Sequence, residues 1–212
     1  MMMRVFPFVA RHAGGIAMKC WLTVLGLCLA LAAHAAPSRP EFHRAVYALH
    51  AQQIAQHTVR TEETTGEYLG VAAAGYRYRI TSYYEAETGR LLSRIQRDAM
   101  VPEAIHIAEV NVYDAHGRLV RDFFSSAPPW KPIHPSHAYI NLHHYNGRLH
   151  SFRQHELDGE VNYEFCEGVQ EGRPVRIALD WDSINGKANA SPEYRACFDG
   201  MSKDWAQYIA PH

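Results

Sequence analysis

Long hydrophobic runs, runs of like charge and catalytic signatures are all missing from this chain. Past the first 36 residues no segment is apolar enough to cross a bilayer core of about 30 Å, so no transmembrane segment is expected in the mature chain. Charge is mixed and nearly balanced, with 21 basic and 22 acidic residues and no block of either sign, which speaks against a nucleic-acid partner. There is no Gly-x-Ser-x-Gly elbow, no glycine-rich phosphate loop and no dinucleotide fingerprint. The 14 histidines are scattered, none in a His-Glu-x-x-His arrangement. No enzyme class therefore has a signature here, and the sequence leans away from catalysis.

Cysteine is scarce, and its placement is informative. Met18-Lys19 precedes a short apolar run from Trp21 to Leu31, followed by Ala33-His34-Ala35, the small-x-small pattern that signal peptidase cleaves. Residues 1–35 therefore read as a signal peptide, with Met18 as the true start, and 36–212 as a single globular domain exported to the periplasm or beyond. Cleavage removes Arg4, Arg11 and Lys19 and no acidic residue, leaving 18 basic against 22 acidic and a net charge near −4. It also removes Cys20 and Cys28. Only Cys166 and Cys197 remain, and an oxidising compartment favours their pairing.

What the chain does have is alternation. From Tyr76 to Trp181 short runs of Tyr, Ile, Val, Leu and Phe alternate with polar residues between Gly-centred turns at Gly89, Gly117, Gly147, Gly159 and Gly172. These turns predict eight strands, at about 76–84, 91–97, 105–113, 119–124, 138–145, 148–156, 161–168 and 174–181. Tight turns make consecutive strands antiparallel. The expected fold class is mainly β (α+β): an antiparallel up-and-down meander of about eight strands, as a curved sheet or barrel, with an N-terminal helix and a short C-terminal helical tail. The helix is expected over 40–56, opened by Ser38 and Pro40 and carrying a stripe of Phe42, Val46, Leu49 or His50, and Ile54. The tail is expected over 191–209, with Ser191-Pro192 as its start and a second turn around Trp205 and Tyr208. Residues 58–75 predict one or two irregular strands.

Turn arithmetic then supplies candidate sites. A two-residue Asn146-Gly147 loop would set His143 directly opposite His150, and Asp158-Gly159 would set Arg153 opposite Glu164 and Phe152 opposite Phe165. One face would then carry Tyr139, Asn141, His143, His150, Phe152, Val161, Tyr163 and Phe165, and its aromatic character suggests the interior. A histidine pair among aromatics is a structural stack in the plainer reading, and a zinc or general-base site in the sharper one. Two imidazoles supply only half of a tetrahedral zinc shell. Glu164, Glu167 and Glu171 near the late strands could supply a carboxylate pair for glycoside chemistry, although exposed acidic residues on strands and turns are far commoner. Trp130, in the proline-rich segment from Ser125 to Pro135, either pins that loop or contacts a ligand or partner.

The functional expectation is a periplasmic or secreted binding protein for a small apolar ligand or a protein partner. The alternative is a hydrolase or metal-binding protein using His143 and His150. No cofactor is required by either reading, zinc being the one the histidine pair would take.

Overall fold

A computed structural model describes residues 36–68, 75–132, 134–184 and 191–202. The expected signal peptide at 1–35 and the expected turn around Trp205 and Tyr208 fall outside the described residues.

Helix α1, Arg39–Gln56, starts where the sequence places its cap. The Ser38 hydroxyl accepts from the Glu41 N–H, while the Glu41 carboxylate takes the Ser38 N–H at 2.8 Å, a reciprocal box that satisfies donors the first turn would leave unpaired. Phe42, His43, Val46, Leu49 and His50 form its buried stripe. Nine strands follow: β1 (Val59–Glu67), β2 (Arg77–Glu85), β3 (Leu91–Asp98), β4 (Ile105–Tyr113), β5 (Leu119–Ser126), β6 (His137–Asn146), β7 (Leu149–Glu156), β8 (Val161–Gln170) and β9 (Arg173–Asp180). A single turn, α2 (Trp181–Ile184), and the short helix α3 (Pro192–Phe198) complete the described chain.

The strands form one antiparallel meander in sequence order, and no described pairing joins β9 to β1, so the sheet is open. Bulges interrupt the ladders at Tyr83/Tyr84, Gln96/Arg97, Val112/Tyr113 and Gln154/His155. Each extra residue locally bends its strand and increases its twist.

Both longer helices lie on one face of this sheet. Phe42 and Phe123 meet edge to face at 6.1 Å, and Ile95, Ala108, Val110, Ile140, Leu142, Leu149 and Cys166 complete the core beneath them. Two histidines that α1 brings into this core meet strand hydroxyls: His43 Nδ1 lies 2.9 Å from Ser125 Oγ and His50 Nδ1 lies 2.7 Å from Ser93 Oγ. Helix α3 is held by the Cys166–Cys197 disulfide, which joins positions 31 residues apart. Closing a loop of that length is worth about 3.5 kcal/mol in the chain-entropy account. Beside the disulfide, the Arg153 guanidinium donates to Glu164 Oε1 at 2.7 Å, and the Tyr194 hydroxyl donates to Glu164 Oε2 at 2.8 Å.

Three sequence expectations change. Within 58–75 the described residues form one regular strand, β1, paired with β2 along its full length. At the β6–β7 hairpin Asn146 pairs with Leu149, so the two loop residues are Gly147 and Arg148, and His143 stands opposite Phe152 rather than His150. Of the two, Gly147 alone has positive φ, the pattern of a glycine-led II′ turn. Because the register differs by two residues, the side chains of this hairpin keep their predicted faces, whereas Val161, past the bulge in β8, pairs with His155 rather than joining the row of Tyr163 and Phe165. The face itself is the third change. Tyr139, His143, Phe152 and Phe165 lie on the face away from α1 and α3, and the core uses their neighbours Ile140, Leu142, Arg153 and Cys166.

Candidate functional site

Strands β5 to β8 arrange this second face as rows of facing residues. Phe124 pairs with Tyr139 and Glu156; Asp122 with Asn141, Gln154 and Tyr163; His143 with Phe152 and Phe165; Tyr145 with His150 and Glu167. Adjacent rows are two residues apart along each strand, about 7 Å. An amide row thus runs between two rows rich in rings.

The amide row is a hydrogen-bonded chain. Asn162 Nδ2 donates to Gln154 Oε1 at 3.0 Å, Gln154 Nε2 to Asn141 Oδ1 at 3.2 Å, and Asn141 Nδ2 to Asp122 Oδ1 at 2.6 Å. Asp122 also anchors the histidines. Its Oδ2 lies 2.8 Å from His143 Nε2, and His143 Nδ1 lies 3.0 Å from His150 Nε2. With the Asp122 carboxylate as acceptor and His143 as a neutral imidazole, the His143 proton sits at Nε2. His143 Nδ1 then accepts from His150 Nε2–H, which leaves the lone pair of His150 at Nδ1. Burial, with the neighbouring His143 second, lowers the pKa of His150, against the opposing pull of Glu167. Burial raises the pKa of Glu109, helped by Asp122 and opposed by Arg94.

The rings are fixed to different degrees. His143 and His150 stack in parallel, 5.3 Å apart and 3° from coplanar, and Tyr145 stacks on His150 at 4.8 Å. Arg118 lies over the Tyr145 ring at 5.2 Å, and Arg176 over the Phe165 ring at 5.8 Å. Phe124 and Tyr139 stack at 5.9 Å. Phe152 and Tyr163 touch at 6.2 Å with their planes tilted by 58°, and both stay partly exposed.

The two predicted histidines are therefore in contact, through a diagonal rather than a direct cross-strand pair. Their nitrogens are turned on each other and on Asp122, and among the described residues no group of three or more His, Cys, Asp or Glu is placed to hold a metal ion. Trp130 stands 48% exposed on the loop between β5 and β6. The carboxylate pair for glycoside chemistry does not form between Glu164 and Glu167, since Glu164 is buried against Arg153 on the helix face and Glu167 faces the other way beside His150. Sequence reasoning missed Asp122. Its register with β6 crosses ten residues, 127–136, with no tight turn to count from.

No protein-family model, no curated protein and no solved structure matches this chain. No helix among the described residues is long and apolar enough to cross a membrane.

Proposed function

We propose that this is an exported binding protein whose ligand lies on the face of strands β5 to β8 away from α1 and α3. The observation that carries the reading is the ordered row of Asp122, Asn141 and Gln154 flanked by partly exposed rings, on a face to which neither α1 nor α3 is committed. A few placed polar groups within an aromatic surface are what small-ligand sites use for orientation and affinity. The Cys166–Cys197 disulfide and the signal-like start support a periplasmic or secreted setting. Native mass spectrometry of the exported protein should show a bound small molecule that Phe152→Ala loses. A variant that retains the bound mass sinks the reading, as does a wild-type protein that carries no bound mass and takes up no ligand in titration.

A second reading rests on the Asp122–His143–His150 relay. A carboxylate that fixes the tautomer of one imidazole, which in turn fixes the next, is how general bases are oriented. It predicts slow hydrolysis of an activated ester that falls at least tenfold in Asp122→Asn with folding unchanged. Equal rates in the two proteins reject it.

A further inference from the structure

We infer that the ligand of this face is a neutral oligosaccharide, an inference that rests on the binding reading above and names its chemistry. Three features converge on hydroxyl-bearing rings.

The first is the mixture of hydrogen-bonding roles. Gln154 and Asn162 each use one amide hydrogen within the row and keep a second, while Asp122 keeps spare lone pairs and His150 keeps Nδ1. A wholly apolar ligand laid across them would desolvate these atoms without replacing their partners, at roughly 1–3 kcal/mol for each group left unmatched. A hydroxyl both donates and accepts, so an array of hydroxyls suits such a row.

The second is the position of the rings. Phe152 and Tyr163 are partly exposed at the amide row; His143 meets Phe152 edge to face at 5.2 Å, and among the described residues neither ring carries a guanidinium or a parallel-stacked partner, unlike Tyr145 and Phe165. A pyranose offers an apolar C–H face to such rings while its hydroxyl edge reaches the amides.

The third is charge. The face carries Glu109, Asp122, Glu156, Glu167 and Asp180 against Arg94, Arg118 and Arg176; Arg94 is paired with Glu109 at 3.5 Å, Arg118 with Asp114 at 2.7 Å, and Arg39 of α1 reaches Glu156 at 3.5 Å, which leaves Asp122, Glu167 and Asp180 against Arg176. An acidic face repels fatty-acid carboxylates, phospholipid phosphates and acidic sugars alike. A neutral saccharide meets no such penalty.

The test is an amide ¹H–¹⁵N titration of the processed, disulfide-intact chain with maltotetraose, cellotetraose and chitotetraose in turn, and with lysophosphatidylcholine as the lipid arm. At least one saccharide is expected to shift the amides of β5 to β8 with Kd at or below about 1 mM. Tyr163→Ala and Gln154→Ala, both at partly exposed positions, should each weaken it at least tenfold. If none of the three sugars moves these amides, the saccharide assignment is overturned. Should lysophosphatidylcholine shift them instead, the face remains a binding face with a different ligand. If neither class does and no small molecule copurifies, the binding reading fails as well.

Discussion

Lowering the pH from 6.5 to 4 is expected to strip several kcal/mol from the stability of this domain, because its core is built around neutral histidines. His50 is held down to about 4, first by burial and then by the nearby Arg97 guanidinium. Burial is also the leading cause that lowers His43, His106 and His155; Asp98 opposes it at His106, while the Gly159 carbonyl and Glu164 oppose it at His155. In the unfolded chain each imidazole takes its proton near pH 6.5. The folded state resists until lower pH, so across this window the unfolded state binds more protons and stability falls as pH falls. For His50 alone the displacement corresponds to about 3 kcal/mol once pH is below its folded value. Domains of ordinary stability hold only about 5–15 kcal/mol in total. The carboxylate of Glu85, held to about 2 by Thr88 and Arg90, is lost in a separate and more acidic window. The check is a series of denaturant midpoints between pH 7.5 and 4, with His50→Gln expected to flatten the slope. A midpoint independent of pH in the wild type overturns the account.

Glu164→Ala is expected to cost about 3–5 kcal/mol, the usual penalty for breaking a buried ion pair from one side. Arg153 is 5% exposed and Glu164 1%, so the truncation leaves a buried guanidinium without its counter-charge. It also strips the acceptor from Tyr194, whose pKa is pushed up to about 12 by burial and by its hydrogen bond to Glu164. Helix α3 should loosen even with the disulfide intact. Replacing both partners at once, as Arg153→Met with Glu164→Leu, should recover most of the loss, since two apolar side chains leave no charge unpaired. Denaturant midpoints of the two singles and the double close the cycle, and ultraviolet titration of Tyr194 should move toward 10 in Glu164→Ala. A loss below about 1 kcal/mol in the single variant contradicts the buried-pair account.

Strands β2 to β9 were legible because each is bounded by a glycine turn or a proline break, and those signals are local. Strand β1 was legible only as an irregular strand without bounds: Val59–Glu67 is exposed along nearly its whole length, so no alternation of apolar and polar residues marks it. The β7–β8 register was readable, and Arg153 does face Glu164 and Phe152 does face Phe165. At β6–β7 the dipeptide Asn146-Gly147 fits two loop positions equally well, and only the backbone torsions show that Gly147 opens the turn. The histidine pair survived that error because a two-residue slip preserves the face. Asp122, which orients the pair, could not be found, since a ten-residue connection carries no register.

The amino-acid sequence by itself determined the meander, the cap of α1 and the candidacy of Cys166 and Cys197 as partners, all of which depend on residues a few positions apart or on how few cysteines there are. The tertiary structure decided which side of the sheet became the core. Both faces of β6 to β8 hold enough apolar surface to be buried, and the choice falls to the face on which α1 lays Phe42, Val46 and Leu49 and to which Cys197 ties α3. The aromatic and amide rows are left on the other side for that reason.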